Sequence, residues 1–215
     1  NMTARALPIE NVVDRIDWNM FLSFWGFKGK YPELIYSNEE AEKCYESAVA
    51  MLDNMIAQQN VELSVKVKFF DAYSEDDGII LDGVHRIESG RYSDFVPEKG
   101  LGITSTVGLF VIKVEDRQHT HCDCKSYEHL LRESLCARIA QAASEWLDSQ
   151  ISEGTNVVKP AFGYPSIPDH SMKKTAFELL NAEEDMGLTL TSSYAIIPTT
   201  SICGMIISQP EANYL

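Results

Sequence analysis

Residues 159–165 read Lys-Pro-Ala-Phe-Gly-Tyr-Pro, and residues 167–170 continue as Ile-Pro-Asp-His. A glycine beside aromatic residues, with prolines on both sides, favours a rigid turn whose backbone a ligand can approach closely. The pattern that follows predicts a short helix over residues 171–186, which Gly187 is placed to end. We therefore expect a turn with exposed backbone at residues 161–164, next to elements of regular structure.

Outside this stretch the chain alternates between helical and extended patterns. Apolar residues at helical spacing predict one helix over residues 38–59, with Asn38 as its N-cap, and a longer one over residues 124–151. Strands are expected at residues 65–70, where the pattern is that of a half-buried strand, and at residues 78–82, 102–114, 188–197 and 201–208. Residues 75–77, Glu-Asp-Asp, are expected to form the turn of a hairpin, and residues 102–114 a central strand. Because helices and strands are interspersed and no strand–helix–strand unit repeats, the pattern indicates an α+β fold with a mainly antiparallel β-sheet.

Bulk composition limits the classes of protein to which the chain can belong. With 215 residues, 45% of them hydrophobic, it can bury a core and is expected to form a single domain over residues 1–215. Its formal charge of −14 repels phosphate backbones and argues against nucleic acid as a partner. No apolar run reaches the ~18 residues needed to cross a membrane. Five cysteines, an odd number, favour reduced thiols and a cytoplasmic location, and Met2 behind Asn1 leads us to expect a free-standing protein.

The stretch at residues 159–165 resembles the C-terminal activation domain of cobalamin-dependent methionine synthase. That family carries the signature Arg-x-x-x-Gly-Tyr, which Gly163 and Tyr164 match, with Lys159 in place of the arginine. Residues 16–18, Ile-Asp-Trp, and residues 29–32, Gly-Lys-Tyr-Pro, match further family motifs. The resembling blocks follow one another in the family's order, at residues 16–32, 94–114 and 159–214.

The resemblance implies a curved, mainly antiparallel β-sheet with flanking helices, and a binding site for S-adenosylmethionine. In that family Asp17 corresponds to the residue that holds the ligand's amino group, and Tyr164 would line the methyl-donating side. A lysine at position 159 keeps the charge that attracts the ligand's carboxylate, but it lacks the planar two-pronged contact of arginine. The ligand-binding residues that the resemblance implies are Asp17, Lys159, Ala161, Gly163, Tyr164 and Tyr214.

The function that the resemblance implies is reductive reactivation, by reductive methylation, of a cobalamin-dependent methionine synthase. S-adenosylmethionine would supply the methyl group, and a flavodoxin-type reductant would supply one electron. Cobalamin would be carried by the partner, the cobalamin-binding part of methionine synthase. The chain would then position the methyl donor, with no catalytic residue, no metal ligand and no independent turnover.

Other interpretations stay open. The same site would serve a sensor of S-adenosylmethionine, or a reactivator of another corrinoid methyltransferase. A structural or metal-binding protein is a further alternative, because residues 119–124, His-Thr-His-Cys-Asp-Cys, offer zinc-type ligands, although their spacing fits no familiar structural zinc site. Asp17 can also act as a helix cap, residues 163–165 as a structural turn, and Tyr214 as part of a frayed chain end.

Overall fold

A computed structural model of the protein describes residues 2–118, 126–151 and 155–215. The strands are β1 (Met2–Ala6), β2 (Val61–Glu75), β3 (Gly78–Leu81), β4 (His85–Glu88), β5 (Ser105–Asp116), β6 (Val157–Val158), β7 (Thr189–Leu190), β8 (Ile196–Ile197) and β9 (Ile202–Ser208). The α-helices are α1 (Trp18–Phe24), α2 (Glu33–Ser37), α3 (Glu39–Gln58), α4 (Tyr127–Ile151), α5 (Met172–Leu180) and α6 (Ala182–Met186). Short 3-10 helices occupy Ile9–Asn11, Val13–Arg15 and Gly90–Phe95.

The chain divides into two compact units. The first unit contains residues 1–5, 64–113 and 147–215. The second unit contains residues 6–63 and 114–146.

The main β-sheet draws most of its residues from the first unit. Its strand order is β4-β3-β2-β5-β9-β6, and β1 pairs with β2. The β2–β3, β3–β4, β5–β9 and β6–β9 pairings are antiparallel. Helix α5 packs against β4 and β9. The predicted α+β class, a mainly antiparallel sheet with flanking helices, is confirmed.

Strand β5 lies in the middle of the sheet, as its Ile-, Val- and Phe-rich sequence predicts. Residues 107–112 of this strand are all buried, so both of its faces are covered. The core of the first unit joins β5 to β9, α5 and the segment that carries the candidate site. Burial of each large apolar side chain contributes roughly 1.5–3 kcal/mol. Core members include Phe70, Ile79, Leu81, Leu109, Val111, Phe162, Ile167, Phe177, Leu180, Met205 and Ile207.

The hairpin between β2 and β3 has the turn that its sequence predicts. Glu75 pairs with Gly78, which leaves Asp76 and Asp77 as a two-residue loop. Asp76 has a φ of 53°, a left-handed conformation that short polar side chains tolerate. The strand predicted at residues 78–82 is therefore observed as β3.

Among the predictions for the first unit, those for residues 65–70 and for residues 171–186 were wrong in detail. The strand predicted as half-buried at residues 65–70 is covered on both faces over most of its length. Lys66, a charged residue of this strand, is buried and forms an ion pair with Asp185 of α6. The single helix predicted over residues 171–186 is interrupted at Asn181, whose φ of 51° ends α5 before α6 begins. The interruption places Asp185 on a separate short helix.

The strand predicted over residues 188–197 is in fact a small hairpin. Its two arms, β7 and β8, pair antiparallel. The loop between them closes through two backbone–backbone hydrogen bonds: Thr191 N–H donates to Ala195 O at 2.9 Å, and Tyr194 N–H donates to Thr191 O at 2.9 Å. Tyr194 has a φ of 62°, so the chain reverses where a continuous strand was expected.

Helix α3 in the second unit agrees with the prediction. Asn38 Oδ1 accepts hydrogen bonds of 3.0 Å from the N–H groups of Glu40 and Ala41, which caps the helix. Helix α4, of which residues 127–146 belong to this unit, carries Arg132. Its guanidinium Nε lies 2.6 Å from Asp116 Oδ2, and its side chain is only 1% exposed. In the part of the chain that the structure describes, no helix has the length and apolar character needed to cross a membrane.

Candidate functional site

The segment Lys159–Ile167, called the site segment here, is fastened to strand β9. Phe162 N–H donates to Cys203 O at 2.9 Å, and Met205 N–H donates to Pro160 O at 3.1 Å. Gly204 lies between these two bonds. A Cβ atom at position 204 would lie 2.4 Å from Pro160 O, so only glycine allows the site segment to approach β9 this closely.

Within the site segment, residues 161–167 form the turn that the glycine and prolines predict. Gly163 N–H donates to Ile167 O at 2.8 Å, and Ile167 N–H donates to Tyr164 O at 3.0 Å. Gly163 has a φ of 86°, which side chains with a Cβ rarely adopt. Phe162 and Ile167 are buried on either side of it. The turn is therefore anchored by its apolar residues, while Tyr164 is 57% exposed and presents its ring to solvent.

The ring of His170 lies against Gly163. A Cβ atom at position 163 would lie 2.5 Å from both Cε1 and Nδ1 of that ring. The sequence did not reveal this contact. The neighbouring Asp169 lies just before helix α5 and bonds to Ser171. Its Oδ1 accepts from Ser171 N–H at 2.8 Å and from the Ser171 hydroxyl at 2.6 Å, and these bonds lower the pKa of Asp169.

Lys159, the first residue of the site segment, is buried. Its side chain is 3% exposed, and its ammonium forms an ion pair with Asp148 of helix α4. Its backbone N–H donates to Tyr214 Oη at 3.1 Å. The positive charge at position 159 is thus neutralised by a carboxylate that the sequence analysis did not single out. Asp148 lies 11 residues earlier in the chain, and no local pattern marks it as a partner.

Tyr214 is held in place and does not belong to a frayed end. Tyr214 accepts the bond from Lys159, and the next residue, Leu215, donates its N–H to Tyr92 Oη at 3.3 Å. Upstream, Gln209 N–H donates to Asn156 O at 3.1 Å. Burial is the largest cause that raises the pKa of Tyr214, and the hydrogen bond from Lys159 N–H opposes it. The C-terminal residues therefore form part of the surroundings of the site segment.

Asp17 belongs to the second unit. It is the N-cap of helix α1, where its Oδ1 accepts a hydrogen bond of 2.9 Å from Met20 N–H. A carboxylate has further lone pairs, so this bond does not exhaust its capacity as an acceptor. Of the six predicted site residues, the structure brings Lys159 and Tyr214 into contact and places Ala161, Gly163 and Tyr164 on the same segment as Lys159.

A metal site is the alternative chemistry. Among residues 2–118, 126–151 and 155–215, no group of three or more His, Cys, Asp or Glu side chains is arranged to hold a metal ion. The zinc interpretation rested on the His and Cys side chains within residues 119–124. This stretch lies outside the described residues.

Comparisons with known proteins identify the family of the chain. The family model described as "Vitamin B12 dependent methionine synthase, activation domain" matches residues 8–156 and 150–215. A solved structure described as the MetH reactivation domain bound to AdoHcy is 25% identical, with a TM-score of 0.86. The match covers 99% of this chain and 80% of that one. Because the family model spans nearly the whole chain, the protein belongs to the family of vitamin B12-dependent methionine synthase activation domains.

Proposed function

We propose that the protein binds S-adenosylmethionine on the site segment and serves the reductive reactivation of a cobalamin-dependent methionine synthase. The observation that carries this proposal is the anchored turn at Gly163. Its φ of 86° is a conformation that residues with a Cβ rarely adopt, and the missing Cβ lets the ring of His170 pack directly against the turn. The turn carries the family's Gly-Tyr pair, and the similar solved structure is described as bound to AdoHcy, the demethylated form of this ligand.

The residues around the turn suit the chemistry of this ligand. Backbone groups at Ala161 and Gly163 can make the few polar contacts that orient a bound nucleoside. The exposed ring of Tyr164 offers an aromatic face to a sulfonium cation. Tyr214, tied to Lys159 N–H at 3.1 Å, would close the site from the C-terminal side.

Lys159 has a more complex role in this proposal. Its ammonium already pairs with Asp148, so a ligand carboxylate must compete with that side chain or share the charge with it. Asp148 is 38% exposed on its side chain, which allows it to move toward water when the ligand binds. Lysine makes such an exchange easier than arginine, because its ammonium lacks a fixed planar geometry.

Asp17 is proposed to neutralise the amino group of the ligand. Its carboxylate caps helix α1 through Oδ1, which fixes the direction of the side chain. A charge-assisted hydrogen bond from an ammonium is about twice as strong as a neutral one. Removing the charge of Asp17 while keeping its side-chain oxygen therefore separates the capping of α1 from the binding of the ligand.

The chemical contribution of the chain is to hold and orient the methyl donor. The corrinoid carried by the partner, when bound, supplies the reduced cobalt that accepts the methyl group, and a flavodoxin-type reductant supplies the electron. Positioning of two reactants contributes several kcal/mol to such a transfer without any acid, base or nucleophile from the protein. The partner proposed is the cobalamin-binding part of methionine synthase.

An anaerobic reactivation assay tests this function. Inactive cob(II) methionine synthase lacking its own activation domain is mixed with reduced flavodoxin, S-adenosylmethionine and this protein, and methionine formation is followed. We expect recovery of activity that depends on all three additions, and no recovery with the variant Gly163→Val, in which a branched side chain blocks the turn. Binding of S-adenosylmethionine without any recovery would instead favour a sensor, or the reactivation of another corrinoid methyltransferase.

A further inference from the structure

We propose that Lys173 is a positioning residue for the site segment. It holds His170 as the tautomer that carries its proton on Nε2, and the ring of His170 in turn holds Gly163 in the conformation that the proposed ligand site uses. The part of this inference that concerns ligand affinity rests on the proposed function. The part that concerns the histidine and the turn does not.

Lys173 is unusual because its charge is buried without a carboxylate beside it. The residue is 7% exposed, and its Nζ lies 3.0 Å from His170 Nδ1 and 3.1 Å from Tyr194 O. Within the described residues, no Asp or Glu forms an ion pair with it. Burial lowers the pKa of Lys173, and the nearby Cys203 thiol opposes that shift. An apolar side chain would avoid this cost of desolvation, so stability alone does not explain a lysine here.

The hydrogen-bonding capacity of the two groups determines the tautomer of His170. An ammonium has three donors and no acceptor. The ring nitrogen that faces Lys173, Nδ1, must therefore offer its lone pair, and the proton of the neutral ring lies on Nε2. A second proton on the ring would place two cations 3.0 Å apart. The neighbouring Asp169 carboxylate is already engaged by the Ser171 hydroxyl and N–H.

Lys173 joins three parts of the first unit through these contacts. It lies on helix α5, and its bond to Tyr194 O reaches the β7–β8 hairpin. Its bond to His170 reaches the ring that lies against Gly163 of the site segment. The ring of His170 occupies the space where a side chain at position 163 would lie. Without the bond to Lys173, the ring of His170 is free to rotate about its χ angles. It then no longer packs in a fixed position against Gly163.

The test replaces Lys173 and, as a matched control, its exposed neighbour Lys174. Both Lys173→Met and Lys174→Met remove one positive charge from α5, but only the first removes the bond to His170. In the unliganded protein, ¹⁵N NMR at a pH of about 8, where free histidine is neutral, reports the tautomer of His170. Hydrogen exchange at Gly163 N–H reports the stability of the turn, and calorimetry reports the affinity for AdoHcy.

The wild-type protein and Lys174→Met should show His170 with its proton on Nε2. Lys173→Met should give a mixture of tautomers, at least threefold faster exchange at Gly163 N–H, and roughly tenfold weaker binding of AdoHcy. Its resistance to urea should equal or exceed that of the wild type, because a buried charge has been removed. His170→Asn, which retains an acceptor for Lys173 but lacks the ring, should also speed exchange at Gly163.

A proton on Nδ1 in the wild type would overturn the inference. So would Gly163 exchange in Lys173→Met that matches the exchange in Lys174→Met. If the wild-type protein binds neither S-adenosylmethionine nor AdoHcy, the proposed function fails, while the NMR and exchange measurements still decide the role of Lys173.

Discussion

Replacing Gly163 with alanine tests the account of the turn, and the structure allows its effect to be estimated. An alanine at a φ of 86° is strained by about 1–2 kcal/mol. Its Cβ would lie 2.5 Å from Cε1 and Nδ1 of His170, so the ring must move away and its bond to Lys173 is lost. A hydrogen bond to a charged group contributes roughly 1.5–3 kcal/mol. Partial relaxation of the ring should bring the total to about 2–4 kcal/mol of unfolding free energy.

Gly100→Ala provides the matched control for strain. Gly100 belongs to the same unit and has a φ of 94°, but an added Cβ there would meet nothing within 4 Å. Its substitution should cost only the backbone strain, about 1–2 kcal/mol. Urea denaturation of both variants measures the difference, and titration with AdoHcy measures the loss of binding. Equal destabilisation of the two variants, together with unchanged affinity in Gly163→Ala, would refute the reasoning.

Three further substitutions probe the charged residues. Asp148→Asn should free the buried ammonium of Lys159. Urea denaturation should show that the free energy of unfolding falls by about 1–3 kcal/mol. Calorimetry should show tighter ligand binding if Lys159 meets the ligand's carboxylate. Weaker binding would assign the ion pair a purely structural role. The bond from Lys66 lowers the pKa of Asp185, so the stabilisation from this carboxylate is present above its ordinary pKa of about 3.9 and is lost as the pH falls through its lowered value. Asp185→Asn should accordingly melt at a lower temperature than the wild type at neutral pH, and this difference in melting temperature should narrow below a pH of about 3. A difference that stays constant with pH would contradict this. Asp17→Asn should keep helix α1, because asparagine caps as well as aspartate, yet weaken ligand binding in the same titration; full affinity would remove Asp17 from the site.

Local signals in the sequence predicted the elements that depend on local physics. Asn38 with its acidic neighbours marked the start of α3, and Asp76 with Asp77 marked the tight turn after β2. Gly163 between prolines marked the turn of the site segment. In each case the residue itself supplies the cap or tolerates the unusual φ, so no distant contact is needed to interpret it.

Features that depend on distant contacts were not predicted from the sequence. Lys66 gave its strand a polar alternation, but a short helix far along the chain supplies Asp185 to cover it. The break at Asn181 lies inside a pattern of good helix formers. An asparagine is only a weak signal for a left-handed backbone conformation, which glycine adopts more readily. The partners of Lys159 and His170 were missed for the same reason: a pairing between side chains depends on the packed structure, and composition does not record it.

The family resemblance supplied the identity of the candidate site, and the structure supplied its construction. The resemblance pointed to Gly163, Tyr164 and Lys159 as a group. It did not indicate that Lys159 is buried against Asp148, or that Gly163 has the ring of His170 beside it. Both contacts involve residues outside the Arg-x-x-x-Gly-Tyr signature.

Equilibrium titration of the purified protein with S-adenosylmethionine is the most direct test of the central claim, that the site segment binds this methyl donor. The account predicts one binding site per chain, and loss of measurable binding in Gly163→Val while the variant keeps its folded spectrum. An absence of binding by the wild-type protein, or the same affinity in Gly163→Val, would contradict it.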